Sequence, residues 1–302
     1  MAEDRQRLPA RLAAALTRRG AWPSATAAAR PATEAPQAAT SEDFPSERDA
    51  AAPQPEEAAR SARREWPSAL EAFTLDAAFE VVAVAGTKGE DASEDAFNAA
   101  GHHVAVADGA SSSWEAGRWA QALVDAWTTD RDAHQQWLAS ARQAFVAATP
   151  TSDGALAWLE DAAAQRGAYA AFLGVDLEAE RDQVHWHAHA CGDVTAIQLS
   201  ADGVHTVFPE PSTHGFGSHP KLLTSLDEAG KEIDTTTGVL LPGQSLLLAT
   251  DAVAEFLIAR ASSAELQALH RAAPSELAEV VRAAAREGRI EVDDLTLLRV
   301  SR

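Results

Sequence analysis

The sequence contains one cysteine, Cys191, among its 302 residues. A single cysteine forms neither an intrachain disulfide nor a cysteine-based zinc cluster, which fits a reducing compartment. No apolar run approaches the roughly 18 residues that a membrane-spanning helix needs. The N-terminus has scattered arginines and acidic residues instead of the uninterrupted apolar core of a secretory signal. We therefore expect a cytoplasmic protein that does not enter a membrane.

Basic residues are also scarce. The chain has 25 Lys and Arg against 45 Asp and Glu, which gives a net charge of −20 and a pI near 4.8. Nucleic-acid binding needs clustered Lys and Arg to contact phosphates, so this balance argues against a nucleic-acid partner and against an anionic membrane surface. The excess of carboxylates allows divalent-metal sites, although a solvated acidic surface accounts for most of the charge.

The segment over residues 21–62 lacks a periodic apolar face. Residues 21–62 consist mainly of Ala, Pro, Thr, Ser and Glu, and such a segment buries too little apolar surface to offset its ordering entropy. Before it, Leu8, Leu12 and Leu16 line one face of a possible short helix over residues 3–20, which either docks a partner or has no role. We predict a disordered tail over residues 1–65 and one folded domain over residues 66–302.

The folded part alternates between strand and helix patterns. A hairpin is predicted from Glu94 to Asp108, followed by a helix that a capping-box pattern at Ser112 and Glu115 introduces. Further helices are predicted at 137–148, 154–166, 253–260 and from Ser275. Further strands are predicted at 79–85, 169–176, 184–191, 195–199, 204–208, 238–241, 245–249 and 295–300.

The strand at 184–191 alternates strictly and carries three histidines on one face, namely His185, His187 and His189. Imidazole is a good ligand for transition metals, so a metal site is one interpretation. Side chains two residues apart on a strand diverge, however, so three of them do not easily share an ion. We therefore interpret this face as a polar surface of the sheet.

Carboxylates recur where the predicted strands begin or end. Asp108 and Asp251 each follow a buried apolar strand, and Asp293 precedes the last strand. Glu94 and Asp95 begin the strand that pairs with the one before Asp108. If these strands are neighbours, the like charges would force protonation unless cations neutralise them. A pair of Mg²⁺ or Mn²⁺ ions suits such oxygen ligands, whereas ordinary acidic caps and turns are the alternative.

Five short motifs then follow one another in a recognisable order. They are Glu94-Asp95-Ala96-Phe97, Val104-Ala-Val-Ala-Asp108-Gly109, Ala190-Cys191-Gly192-Asp193, Leu247-Leu-Ala-Thr-Asp251 and Asp293-Asp294-Leu295-Thr296. The ordered set resembles the metal-dependent type 2C (PPM-type) serine/threonine protein phosphatases, in their short bacterial branch, over residues 79–300. The resemblance implies an α+β fold, a four-layer α-β-β-α sandwich of two packed antiparallel sheets flanked by helices.

The resemblance also implies a ligand set for two divalent cations, Mn²⁺ or Mg²⁺. Asp108 matches the carboxylate that bridges both ions. Glu94 and the backbone carbonyl of Gly109 match the ligands of one ion, and Asp251 and Asp293 match those of the other.

The same resemblance also bears on four other residues of these motifs. Asp95 matches an acid that orients water at the metals. Asp294 stands where the family usually has Asn, so Asp293 is the preferred ligand of the pair. Gly192-Asp193 matches a structural turn between strands, and we assign it no catalytic role.

The sequence departs from the family pattern at two positions. Glu90 stands where the family often has an arginine that holds the substrate phosphate. Lys88 is the nearest cation and can substitute, although lysine is a point charge and not a bidentate fork. Ala110 stands where the family often has a histidine proposed as general acid. Water at the metals, His102 or His214 are the alternatives for that role.

The activity that the resemblance implies is hydrolysis of phosphoserine or phosphothreonine on phosphorylated protein substrates. Two metals activate a water for in-line attack on phosphorus, so no covalent phosphoenzyme and no role for Cys191 are needed. The missing arginine supports an alternative, a degenerate phosphatase domain that acts as a binding or regulatory module. A third interpretation is an aspartic hydrolase built on Asp108 and Asp251, whose activity would be independent of metal.

Overall fold

The computed structural model describes residues 70–75, 77, 79–88, 93–129, 136–149, 162–210, 220–226 and 233–302. The tail predicted over 1–65, with its possible helix, lies outside the described residues, so the domain boundary near residue 65 stays a prediction. Most of the helix predicted over 154–166 also lies outside them, although residues 162–164 are helical.

Two antiparallel sheets form the centre of the protein. The strands are β1 (Glu71–Leu75), β2 (Glu80–Gly86), β3 (Asp95–Ala100), β4 (His103–Gly109), β5 (Tyr169–Glu180), β6 (Gln183–Cys191), β7 (Thr195–Ser200), β8 (Gly203–Phe208), β9 (Leu223–Thr224), β10 (Asp234–Leu240), β11 (Gln244–Ala249) and β12 (Leu295–Ser301). The first sheet has the order β1-β2-β12-β11-β7-β8. The second has the order β10-β6-β5-β4-β3, and β9 pairs with β5.

The two sheets pack face to face because their central strands are apolar on both sides. In β4, Val104 and Val106 point into the core between the sheets, whereas Ala105 and Ala107 contact the helices outside. Leu246 and Leu248 of β11 enter the same inter-sheet core from the opposite sheet. Strands buried on both faces require a covering layer on each side, so this pattern leads to a four-layer arrangement.

Helices supply the two outer layers. They are α1 (Ala116–Thr129), α2 (Trp137–Ala148), α3 (Asp251–Glu255, continued by a π-helical turn over Phe256–Arg260), α4 (Ser263–Arg271) and α5 (Pro274–Arg286). Residues of α1 and α2 pack on the second sheet, and residues of α3, α4 and α5 pack on the first. The predicted α-β-β-α sandwich is therefore confirmed. None of the helices in the described part of the chain is long and apolar enough to span a bilayer.

Helix α1 begins later than its capping-box pattern predicts. The pattern predicts Ser112 as the N-cap, but α1 starts at Ala116, and Glu115 has a φ of 51°. A residue with left-handed φ does not fit the first turn of a right-handed helix, so the predicted capping box is wrong. Glu115 instead turns the chain into the helix and pairs with Arg118 at 2.9 Å. The predicted apolar face is buried, with Trp119, Leu123, Val124 and Trp127.

The sequence predictions omit α4, β1 and the short β9. A local signal for α4 exists, because Ser262 and Glu265 form a capping box. The Glu265 amide donates to Ser262 Oγ at 3.3 Å, and the Ser262 amide donates to Glu265 Oε2 at 2.8 Å. This reciprocal pattern satisfies two donors at the helix start and could have predicted it.

Truncation in the inter-sheet core tests this packing. Leu248 is fully buried between the sheets, whereas Leu241 is 48% exposed in the turn before the same strand. We expect Leu248→Ala to lower the free energy of unfolding by about 2–5 kcal/mol, because it leaves a cavity. Leu241→Ala should change it by no more than about 0.5 kcal/mol. Urea unfolding measures both, and equal losses would contradict the assigned core.

Candidate metal centre

The β3–β4 hairpin gathers the first group of predicted site residues. Asp95, the first residue of β3, lies directly opposite Asp108 near the end of β4. The Gly109 amide donates to the Glu94 carbonyl at 3.1 Å, which continues the pairing beyond β3. Tight packing leaves no room for a side chain at Gly109, where a Cβ atom would lie 2.8 Å from the Glu94 carbonyl oxygen.

The first sheet supplies the second group. Strands β11 and β12 are antiparallel neighbours, with Ala249 opposite Leu297, so the end of β11 and the start of β12 lie at one edge. Asp251 follows β11, and Asp293 precedes β12. The Thr250 amide donates to the Thr296 carbonyl at 3.1 Å and fixes the two segments side by side.

Both groups face a single cleft with a volume of about 420 Å³. The cleft lies at one end of the two sheets, where the β3–β4 hairpin and the β11–β12 pair place their acidic residues. Its ionisable lining residues are Lys88, Glu94, Asp108, Asp193, Asp251, Asp293 and Asp294, and the Gly109 backbone joins them. The structure therefore brings together all five predicted metal ligands. Asp95 lies behind this lining, beside Asp108.

Little positive charge lies close to the carboxyls that line the cleft. Burial raises the pKa of Asp108 well above its usual value, and the nearby carboxyls of Asp95 and Asp251 raise it further. Burial also raises the pKa of Asp251, against a hydrogen bond of 2.5 Å from the Ala252 amide, and Asp293 adds to the shift. Each shift reports that the ionised form is disfavoured in its present surroundings.

Asp95 is the most deeply buried member of this group. Burial raises its pKa well above the usual value, and the hydroxyls of Thr296 and Thr250 close to it oppose the shift only in part. Its Oδ2 atom is buried without a hydrogen-bond partner among the described residues. A buried orphan oxygen beside a set of oxygen ligands fits a centre that binds hard divalent cations, which neutralise clustered carboxylates. The residues present therefore fit the predicted pair of ions.

Lys88 is a cation within the same cleft. Its Nζ donates to Glu94 Oε2 at 2.9 Å, to Ser111 Oγ at 2.7 Å and to Asp293 Oδ1 at 3.2 Å. Burial lowers the pKa of Lys88, but the hydrogen bonds to Glu94 and Asp293 outweigh this effect and raise it overall. Lys88 thus connects two residues that the sequence assigns to different metal ions.

Asp294 differs sharply from its neighbour Asp293. The Asp294 side chain is buried, and it accepts the Lys88 amide on Oδ1 and the Glu94 amide on Oδ2, both at 2.7 Å. Both ends of the 88–94 segment are therefore fixed to one carboxylate, which an asparagine with its single oxygen cannot reproduce. Asp293 faces the cleft and remains the predicted ligand, which this arrangement supports.

Asp193 is the functional candidate that the sequence analysis missed. We interpreted it as part of a structural turn, but it lines the cleft. Burial, followed by the Asp251 carboxyl, raises the pKa of Asp193 to about 6. A signal was present in the sequence, because Asp193 follows strand β6 in the way that Asp108 and Asp251 end their strands.

His102, one of the alternatives for the general acid, does not reach the cleft. It lies in the turn of the β3–β4 hairpin, at the opposite end of these strands from Asp108. Its Nδ1 lies 3.1 Å from the Leu177 carbonyl oxygen, and its ring packs edge-on against Phe79. The structure removes this alternative, because the hairpin places residue 102 at its far end. His214 and Glu90 lie outside the described residues.

Comparisons with known proteins establish the fold. No protein-family model matches the sequence, and no curated protein matches it. The structure is similar to the catalytic domain of the serine/threonine protein phosphatase PstP in complex with two manganese ions, with a TM-score of 0.50, 17% identity, and coverage of 73% of this chain and 96% of that one. It is also similar to the serine/threonine phosphatase Stp1 from Staphylococcus aureus, with a TM-score of 0.50, 13% identity, and coverage of 76% and 97%. The chain has the PPM-type phosphatase fold.

In this PPM-type fold the raised carboxyl pKa values predict how stability changes with pH. Asp193 has a pKa of about 6 in the folded protein and an ordinary value of 3.8. Between these values the folded state binds more protons than the unfolded state, so the free energy of unfolding falls as pH rises through this range. Without metal, burial of the Asp193 carboxyl therefore makes the folded protein less stable at neutral pH than it would be if this carboxyl were solvated.

Asp193→Asn removes that charge. In chelator, we expect the variant to exceed the wild type in unfolding free energy at pH 7 by on the order of 1–2 kcal/mol, since a two-unit pKa shift corresponds to roughly 3 kcal/mol and the site is partly solvated. The difference should vanish near pH 4. Urea unfolding at several pH values measures it, with Asp202→Asn in an exposed turn as the control. A difference that does not depend on pH would contradict the charge argument.

Proposed function

We propose that this chain is a metal-dependent phosphatase that hydrolyses phosphoserine or phosphothreonine on protein substrates, with two Mn²⁺ or Mg²⁺ ions. The observation that carries the proposal is the convergence of carboxylates from both sheets in one cleft. Asp108 would lie between the ions, with Glu94 and the Gly109 carbonyl on one side and Asp251 and Asp293 on the other. When bound, such ions lower the pKa of water to generate a nucleophile and neutralise phosphoryl oxygens.

The residues of the chain provide position and charge for that reaction. Asp95, buried directly opposite Asp108 in the β3–β4 pairing, is placed to orient the attacking water. Lys88, whose side chain is 37% exposed at the cleft, binds the substrate phosphate through its ammonium group. Asp294 acts as a positioning residue, since it fixes the backbone of both Lys88 and Glu94.

The substrate class rests on the cleft and on the fold. A volume of about 420 Å³ admits a phosphorylated side chain, and the single ammonium of Lys88 provides one direct contact to phosphate. Proteins with this fold are described as serine/threonine phosphatases, and one of them binds two manganese ions. We extend the same activity to this chain as a proposal.

One observation favours the alternative, a catalytically degenerate module. The Lys88 ammonium contacts both Glu94 and Asp293, so it competes directly with cations for these carboxylates. A protein in which Lys88 replaced the ions permanently would keep the fold and bind a partner without turnover. Metal binding and turnover therefore have to be measured separately.

The first prediction for this proposal concerns the bridging carboxylate. We expect hydrolysis of an aryl phosphate and of a phosphothreonine peptide with Mn²⁺ or Mg²⁺, and none in chelator. Asp108→Asn should lower kcat/KM by at least about 100-fold, because the metals supply several kcal/mol of charge stabilisation and each 1.36 kcal/mol is tenfold in rate. Asp202→Asn serves as a surface control. Tight metal binding without turnover would support the degenerate module, and activity that persists in chelator would support a metal-independent hydrolase.

The second prediction concerns Lys88, which has two opposed effects. Lys88→Met should raise KM for the peptide about tenfold or more, because it removes the phosphate contact. The same change should tighten Mn²⁺ binding, because Glu94 and Asp293 lose a competing ammonium. Titration calorimetry and steady-state kinetics measure the two effects, with Lys88→Arg as the charge-preserving comparison. An unchanged KM in Lys88→Met would show that another group binds the phosphate.

A further inference from the structure

A second cluster of ligand-type side chains lies on the helix-facing side of the second sheet. It consists of Asp176 on β5 and of His187 and His189 on β6, and one ligand atom from each lies within 4.8 Å of the others. Asp176 is directly opposite His187 in the β5–β6 pairing, and His189 is two residues further along the same face. We propose that these three residues form a binding site for a transition-metal ion of the zinc class.

The two histidines are already at the separation that such an ion requires. His187 Nδ1 and His189 Nε2 are 3.3 Å apart, and their ring centroids are 4.2 Å apart. Ligand atoms of a tetrahedral zinc ion, at 2.0–2.1 Å from the metal, lie about 3.3–3.4 Å from one another. The Asp176 oxygen lies within 4.8 Å of the histidine ligand atoms, so it has to approach by up to about 1.5 Å. We expected side chains two residues apart on a strand to diverge. The His187 and His189 rings instead turn towards each other.

His185 is not part of the cluster. Its Nε2 lies 3.1 Å from Glu180 Oε2, on the exposed end of the hairpin. The site therefore uses two of the three strand histidines and takes its third ligand from the neighbouring strand. Because His185 shares the strand face but not the site, it is a matched control.

The surroundings of the cluster resemble those that orient metal ligands. His103 Nδ1 contacts Asp176 Oδ1 at 2.6 Å, and hydrogen bonds of this kind fix a ligating carboxylate. The Trp127 ring lies 5.1 Å from the His189 ring, and it covers Gly174, the residue opposite His189. A Cβ atom at Gly174 would lie 2.4 Å from the Trp127 indole, so the indole can pack this closely only because residue 174 is glycine. Asp176, His187 and His189 are half-buried, which leaves an ion a route to them.

This site is chemically and spatially distinct from the carboxylate cleft. Asp108 pairs with Ala171 and His103 pairs with Asp176, so the two sites are five residues apart along β5, about 17 Å. The cleft offers oxygen ligands, which suit Mg²⁺ and Mn²⁺, whereas two imidazoles and one carboxylate favour zinc and related ions. The proposal does not depend on phosphatase activity, and an ion here would connect β5 to β6 without taking part in the reaction.

The test is Zn²⁺ binding by the full chain, stripped of metal and then kept in excess Mg²⁺ to fill the oxygen-ligand cleft. Competition with a chromophoric chelator gives the affinity, and the visible absorption of Co²⁺ reports nitrogen ligands. We expect the wild type and His185→Ala to bind one ion in this site with the same affinity. His189→Ala and Asp176→Asn should each weaken this binding at least 100-fold, and His103→Gln about 10–100-fold.

Thermal unfolding with and without Zn²⁺ provides an independent measurement, because an ion that binds only the folded state raises Tm. The rise should occur in the wild type and in His185→Ala and should be absent in His189→Ala. Asp176→Asn keeps the shape of the side chain, so it serves if His189→Ala disturbs the contact with Trp127. The proposal is overturned if Zn²⁺ binds the wild type and both cluster variants equally, or if the wild type does not bind it. Either outcome leaves the proposed phosphatase unaffected.

Discussion

Repulsion between buried carboxylates is the constraint on which the candidate site depends. Asp95, Asp108 and Asp251 are held close together at one end of the two sheets, and burial raises the pKa of each. A solvated loop could not hold them there, because the acids would separate. The sandwich can hold them close together, because apolar contacts along both faces of its central strands offset the free-energy cost of this repulsion. The site therefore results from where the strands end, and bound divalent cations would relieve the repulsion between its carboxylates.

The contacts of Lys88 and Glu94 are the structural response to that constraint. Asp294 accepts one backbone amide hydrogen bond from Lys88 and one from Glu94. These donors compensate the charge of the Asp294 carboxylate without a cation. Lys88 is then held over Glu94 and Asp293 and supplies one positive charge. A single ammonium cannot neutralise the five other carboxyls that line the cleft, and Asp95 Oδ2 remains without a partner among the described residues. Under the proposed function, the lysine that partly neutralises the cleft would become available to a phosphate once cations neutralise the carboxylates.

Much of this arrangement was predictable from the sequence, and the errors have physical causes. Alternating apolar residues located the central strands, and carboxylates at strand ends located Asp108 and Asp251. Asp193 was missed because a Gly-Asp turn has an ordinary local explanation, and only the packing of two sheets brings it into the cleft. His102 remained an open alternative in the sequence, and the structure removes it because a hairpin puts its turn far from its ends.

The strand histidines show a different kind of limit. Spacing along one strand correctly indicates that three side chains share a face, but not how their rings rotate or what the next strand places opposite them. Asp176 reaches His187 only because the β5–β6 register makes them partners, and Gly174 leaves room for Trp127 to pack beside His189. A register shift of one residue would turn Asp176 to the inter-sheet side and leave the histidines with an apolar neighbour. The register of the β5–β6 pair therefore determines whether this polar face can hold an ion, just as the ends of β4 and β11 determine which carboxylates line the cleft.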